Sequence, residues 1–194
     1  MVKLLLDSSN ILLSVGLMKE DELLDFVSYE SWQTQSENMI PEIDALLKKH
    51  NISRKDLDGI IVSVGPGSYT GVRIALTIAK VAALALDIPV YPVSSLRVLK
   101  DNDEPSICLI NARSGRSYFA VCEGENIIEE DTIKTNEDVL LYISEHPNYK
   151  ICGDARYLGF KNNDTNIAQQ MVSLAKCLKP CENSLSLKPV YMKD

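Results

Sequence analysis

The first third of the chain sets apolar residues in short runs or in alternation with polar ones, and turn-forming residues separate the runs. Residues 3–7, 11–18 and 22–29 read as three short strands, the first two joined through Asp7-Ser8-Ser9-Asn10, whose side chains readily bond their own backbone in turns. The period then lengthens. Met39, Ile40, Ile43, Leu46 and Leu47 recur at helical spacing, with Thr34 and Glu37 placed as a capping box and Pro41 in the first turns, where a missing amide costs least. Asn51 is placed to end this helix, and Ser53 with Asp56 to start a short helical turn. Residues 59–64 make a buried-type strand, a long helix runs to about Leu86, and residues 89–93 make another apolar strand, with Ser94-Ser95 able to cap a short helix after it. Residues 101–105 are the most polar break. Beyond it come strands 106–110 and 118–123 around the turn 111–116, and a helix capped by Thr135 and Asp138. A brief strand near Ile151 follows, then a helix carrying Ile167, Met171, Leu174, Ala175 and Leu178, which Pro180 ends, and an extended tail over 185–191. A meander followed by strands alternating with helices predicts an α/β domain with a mixed sheet. The polar break divides it into residues 1–103 and a smaller part, 104–194.

Composition narrows the partners. The chain has 194 residues, room for one large domain or two small ones, and its 45% hydrophobic and 24% charged content is that of a soluble globular protein. A net charge of −7 lacks the basic footprint of a nucleic-acid binder, so RNA is not expected to bind the chain unaided. The apolar start is too short for a signal peptide and ends at Asp7, and no stretch approaches the ~18 apolar residues of a membrane span, so a cytoplasmic location is expected. The five cysteines are scattered like reduced, buried thiols. Cys177 and Cys181 lie four apart, but no second pair follows and His50 and His146 are isolated, so no metal site is expected.

The segment Gly65-Pro66-Gly67-Ser68-Tyr69-Thr70-Gly71 joins a buried strand to a helix. Glycines there permit a tight turn and leave amides beside the positive end of the helix, which suits an anion; a turn that binds nothing fits equally well. A phosphate-binding P-loop would need Gly-Lys-Ser/Thr, and here Gly71 is followed by Val72 and Arg73. A dinucleotide fingerprint fails too, because the glycines are one residue too widely spaced and no acid ends the next strand. Asp7 either faces a cleft or starts an Asx turn. The long helix carries two apolar stripes. One holds Ile74, Ile78, Val81 and Ala85, assigned here to the chain's own sheet. The other holds Val72, Leu76, Ala79, Ala83 and Leu86. Either more of the same fold covers this second stripe or, with Met39 and Ile43, it forms a subunit interface in which the small alanines admit another helix.

Val64-Gly65-Pro66-Gly67-Ser68-Tyr69-Thr70-Gly71-Val72-Arg73-Ile74, with Ile78-Ala79-Lys80, Ile88-Pro89-Val90 and Val93-Ser94-Ser95-Leu96, resembles the TsaB (YeaZ) family. Leu4-Leu5-Leu6-Asp7-Ser8-Ser9 and Asn111-Ala112-Arg113 through Gly115 to Tyr118 are similar as well, so the likeness covers about the first 120 residues. It implies an actin/Hsp70/sugar-kinase (ASKHA)-like fold, with two related subdomains facing a cleft. It also implies a scaffold role beside a homologous catalytic subunit, TsaD, and a small ATPase, TsaE, which together place threonylcarbamoyl on adenosine 37 of transfer RNA. The catalytic relative carries Asn-His-Leu-Glu-Gly-His where this chain has Ser94-Ser95-Leu96-Arg97-Val98-Leu99; Ser95 and Leu99 stand at the histidine positions and offer no competent metal ligand, which implies a non-catalytic chain. On the same resemblance Asp7, Gly65, Gly67, Ser68, Tyr69, Thr70 and Gly71 form a phosphate-type loop, active or vestigial, and Arg73 and Arg113 are the candidate RNA or nucleotide contacts. No cofactor of its own is implied, ATP or ADP belonging instead to a shared subunit interface. A homodimer is expected when the chain is alone, with transfer RNA reached only through the complex and no membrane involved. The alternative is a free-standing ATP-dependent small-molecule kinase or a hydrolase using the cleft.

Overall fold

The computed structural model describes the chain apart from Trp32, Asn102, Asp103, Asn162, Asn163, Asp164, Lys193 and Asp194, so part of the polar break at 101–105 lies outside the described residues. Strands β1 (Val2–Asp7), β2 (Leu12–Lys19) and β3 (Glu22–Glu30) form an antiparallel meander. Helix α1 (Gln35–Lys49) returns the chain to β4 (Gly59–Ser63), which lies parallel to β1 with Leu4 opposite Ile60; α2 (Tyr69–Leu86) then leads to β5 (Val90–Val93), giving the order β3-β2-β1-β4-β5. The second sheet repeats this wiring. Strands β6 (Ser106–Arg113), β7 (Arg116–Glu123) and β8 (Asn126–Thr135) form a meander, α3 (Asn136–Glu145) crosses over, and β9 (Lys150–Gly153) lies parallel to β6, with Cys108 opposite Cys152. One topology used twice is the pair of related, helix-flanked subdomains of an ASKHA-like α/β fold.

Burial explains the composition of each strand. β1 and β4 are central and covered on both faces, so they read as nearly continuous Leu and Ile/Val runs. β3 is an edge and alternates wet and dry. One face of the first sheet packs Leu4, Leu6, Leu13 and Val15 under α1 and α2. On its other face Leu5, Met18 and Ile61 meet Cys108, Ile110, Ala120 and Cys152 of the second sheet, with Ile167, Ala168 and Met171 of α4 (Ile167–Leu174) among them. α4 comes so close to β2 that a Cβ on Gly16 would sit 3.0 Å from that of Ala168. The last described segment also returns to the first sheet: the amides of Cys181 and Val190 donate to the carbonyls of Val90 and Val64 at 2.9 and 2.7 Å.

Several expectations are corrected. α2 lies on the sheet by its second stripe, so the chain's own fold covers these residues and they form no subunit interface. Val72, Leu76, Ala79 and Ala83 are buried, as are Met39 and Ile43 of α1, and Leu86 is half-buried against the same core. Of the stripe assigned to the sheet, Val81, 62% exposed, and Ala85 face outward, while Ile74 and Ile78 are half-buried at the margin of the core. The two stripes are similarly apolar, so residue size makes the choice: Ala75, Ala79 and Ala83 let the helix approach the strands. Ile40 is 53% exposed and does not share the core face of α1. Thr34 makes no cap; its hydroxyl meets that of Ser31 at 2.9 Å. Strand β8 has no counterpart in the sequence reading, its exposed or half-buried residues giving little apolar signal. By length and composition α2 is also long and apolar enough to cross a membrane, a property the chain was not expected to show, but it packs here as a core helix of the first sheet.

Candidate functional site

The glycine loop is shaped by the turn between β1 and β2. A Cβ on Gly67 would collide with the carbonyl oxygen of Ser9, and one on Gly71 with that of Ser8. Glycine at these positions therefore lets two backbones touch. The Ser68 amide donates to the Ser9 carbonyl at 2.6 Å, and the Ser8 hydroxyl to the Gly71 carbonyl at 2.7 Å. Ser68 is the N-cap of α2, its hydroxyl accepting from the Gly71 amide at 3.2 Å. Gly65, at φ +108°, is bound on both sides of its own peptide by Ser95: the Gly65 amide donates to the Ser95 hydroxyl at 3.1 Å, and the Ser95 amide to the Gly65 carbonyl at 3.0 Å.

Across from this loop stands the turn between β6 and β7. A cavity of about 470 Å³ opens between the two, walled by Ser9, Gly67, Ser68, Tyr69 and Thr70 on one side and by Asn111, Arg113, Tyr118 and Asp154 on the other. The structure thus gathers Gly67, Ser68, Tyr69, Thr70 and Arg113 around one space, and leaves Asp7, Gly65 and Gly71 behind its wall. Asp7 is fully buried and starts an Asx turn, its carboxylate accepting from the Ser9 amide at 3.2 Å and the Ser9 hydroxyl at 2.9 Å. Burial raises its pKa, and the bonds from Ser9 oppose that rise in part. Chemically the cavity offers hydrogen-bonding groups, the start of α2, the exposed guanidinium of Arg113 and the carboxylate of Asp154.

Arg73 lies elsewhere. It stands with Ile40, Tyr69, Ile74 and Ile78 around a second, open groove of about 460 Å³ between α1 and α2. Tyr69 and Thr70 border both spaces, so the cleft and the groove meet at the first turn of α2. Ser95 is buried and committed to Gly65, and Leu99 belongs to the core between the sheets. Among the described residues no three His, Cys, Asp or Glu side chains come together as a metal set. Sequence reasoning missed Tyr191, whose ring stacks on Tyr69, because no local pattern ties a tail residue to the start of α2.

The family model for TsaD, tRNA N6-adenosine threonylcarbamoyltransferase, matches residues 30–179. The tRNA threonylcarbamoyladenosine biosynthesis protein TsaB of Bacillus subtilis is 33% identical over 177 residues, covering 89% of this chain and 75% of that protein. The TsaB of Haemophilus influenzae is 29% identical over 130 residues, covering 64% and 55% of the two chains. In fold, YeaZ from Pseudomonas aeruginosa superposes with a TM-score of 0.83 at 22% identity, over 98% of this chain and 99% of that one. With its doubled sheet wiring and a glycine loop shut against the first hairpin, this chain belongs to the TsaB (YeaZ) family, within the wider TsaD-type domain family.

Proposed function

We propose that this chain is a non-catalytic subunit of the machinery that makes threonylcarbamoyladenosine at position 37 of transfer RNA, docking onto a catalytic TsaD-type homologue with a TsaE-type ATPase as third member. One observation carries the docking reading: the outer face of α2. Val81, 62% exposed, continues a row with Ala85 and the half-buried Ile74 and Ile78, Ile40 of α1 faces the same groove, and Leu84, 66% exposed, lies beside the row at the end of the polar strip. A surface helix of a lone domain turns a polar face outward, and a contiguous apolar face marks an interaction surface. The non-catalytic part of the reading is supported by Ser95 and Leu99, which are occupied in holding the loop and the core. Because the cleft and the groove share Tyr69 and Thr70, a nucleotide in the cleft would lie against a partner seated on the groove, which supports ATP or ADP at a shared interface. In the absence of that partner the same face serves a homodimer. The net charge of −7 supports transfer RNA binding through the complex and not through this chain alone.

The test uses Val81→Glu and Leu84→Glu. Both should leave the fold and thermal midpoint unchanged, because the new carboxylates are solvated in the free chain. Each should weaken association with a purified TsaD-type homologue by about tenfold or more, since docking would bury the charge. A wild-type chain that shows no association in sedimentation or titration with that homologue refutes the reading, and so does full affinity in both variants.

A further inference from the structure

The polar strip of α2 runs along one border of this apolar face and carries two cations, Arg73 and Lys80. Both are held by the tail. Lys80 Nζ donates to the Leu185 carbonyl at 3.1 Å, and Arg73 Nε donates to the Tyr191 hydroxyl at 2.6 Å. The Arg73 guanidinium also lies 4.0 Å from the centre of the Tyr69 ring, and that ring stacks on Tyr191 at 5.1 Å with 23° between planes. The tail owes its position to its backbone: the Val190 amide donates to the Val64 carbonyl at 2.7 Å, and a Cβ on Gly65 would stand 2.7 Å from the Val190 carbonyl oxygen. Several other fixed cations of this acidic chain meet carboxylates, as Lys49 does Asp25, Arg54 Asp44, Arg97 Glu130 and Lys150 Asp101. Arg73 and Lys80 make no ion pair among the described residues, although both are fixed in place.

We propose that residues 185–191 form a fixed rim of the docking face, and that Tyr191 is a positioning residue that holds Arg73 ready for a carboxylate of the docked catalytic homologue. The proposal rests on the docking reading above. An arginine stacked and hydrogen-bonded before binding has already lost its rotamer freedom, so the ion pair it forms on docking costs little further ordering. The carboxylate comes from a heterologous partner, because a second copy seated on this face would bring the same groove, whose lining of Ser36, Ile40, Tyr69, Thr70, Arg73, Ile74, Thr77 and Ile78 holds no acid to answer Arg73. The chemistry that fits is an apolar helical surface bordered by Asp or Glu.

The experiment measures the affinity of the full chain for a purified TsaD-type homologue by titration calorimetry, at low and at physiological salt. Arg73→Ala should weaken binding about tenfold and reduce its salt dependence. Tyr191→Ala should weaken it comparably, and the double variant Tyr191→Ala/Arg73→Ala should bind no more weakly than Arg73→Ala alone, because Tyr191 acts through Arg73. Should Tyr191→Ala melt early, Tyr191→Phe carries the test: it keeps the ring stack, removes the acceptor, and should cost about threefold in the wild-type background and nothing beside Arg73→Ala. Wild-type affinity in Tyr191→Ala, or losses that multiply in the double variant, overturn the proposal while leaving the docking reading intact. Loss of self-association with undiminished binding to the homologue assigns the rim to a second copy and overturns it as well. If the wild-type chain does not bind the homologue at all, the docking reading fails and this inference falls with it.

Discussion

Two aspartates of the first sheet meet opposite surroundings. On β3, Asp25 accepts from Lys49 Nζ and His50 Nε2, both at 2.7 Å, which ties the end of α1 to the edge strand. These bonds, Lys49 first and His50 second, hold its pKa down at about 2. A folded-state pKa below the unfolded one means that this stabilisation is complete above the ordinary aspartate range and is lost as pH falls toward about 2. Asp7 has the reverse sign: burial raises its pKa, so the folded chain binds its proton more tightly than the unfolded chain does, and stability falls as pH rises out of the ordinary aspartate range. In urea melts from pH 2.5 to 8, Asp25→Asn should cost about 0.5 kcal/mol at pH 7 and flatten the acid limb. Asp7→Asn should instead remove the decline on the other side of that limb. An unchanged acid limb in the first variant, or an unchanged decline in the second, would show that these environments do not set the titrations. The Asx-turn role of Asp7 was legible from Asp-Ser-Ser-Asn, because such turns are local; that its carboxylate is shut behind the loop depends on Ser8 and Ser9 meeting Gly71 and Gly67, which no local pattern reveals.

At the scale of the element, α2 decides how far the sequence could be read. Its existence and end were plain from a strand, a glycine turn and a run of helix formers, yet its orientation was inverted, because two similarly apolar stripes give hydrophobic periodicity nothing to choose between. Packing does choose. Ala79 is wholly buried among Leu4, Leu6 and Ile60, where only a small side chain fits between helix and strands. Ala79→Glu should therefore destabilise the chain by about 3 kcal/mol or more, through an unpartnered buried carboxylate. In circular dichroism melts the outward Val81→Glu should keep the wild-type midpoint, and a reversed order of the two would restore the original assignment of the stripes. Gly71→Ala belongs to the same element, and only the contact of the added methyl with the Ser8 carbonyl bears on it, since Gly71 has ordinary helical backbone. It should cost about 2 kcal/mol, read in the same melts. The edge strand β8 escaped the sequence reading for the converse reason: acidic and partly exposed, it is specified by its pairing with β7 and not by its own apolar content.

Over the whole molecule, the glycine loop was visible because its seven residues are contiguous, while the opposite wall of the cleft is supplied by Asn111, Arg113, Tyr118 and Asp154, and the rim of the groove by Tyr191. These meet only when the second sheet and the tail fold back on the first. The same return binds the two sheets into one core. Leu5, Met18 and Ile61 pack with Cys108, Ala120 and Cys152, with α4 between them, and the Ser94 hydroxyl donates to Asp131 at 2.5 Å while Arg97 meets Glu130 at 2.7 Å. Neither sheet can open without exposing apolar surface of the other, so the chain should unfold as a single cooperative unit. The cysteines report this. Cys177 is exposed and Cys181 half-buried, whereas Cys108, Cys122 and Cys152 are buried, and the Cys108 thiol has its pKa pushed well up by its hydrogen bond with the Cys122 thiol and by burial. Under native conditions a thiol reagent should label Cys177 and Cys181, and should leave the other three unmodified. With added urea those three should become reactive along one curve, whose midpoint coincides with the loss of far-ultraviolet circular dichroism. Labelling of Cys108 and Cys152 at clearly lower urea would mean that the second sheet opens by itself, and that the shared core is too weak to make the two halves one folding unit.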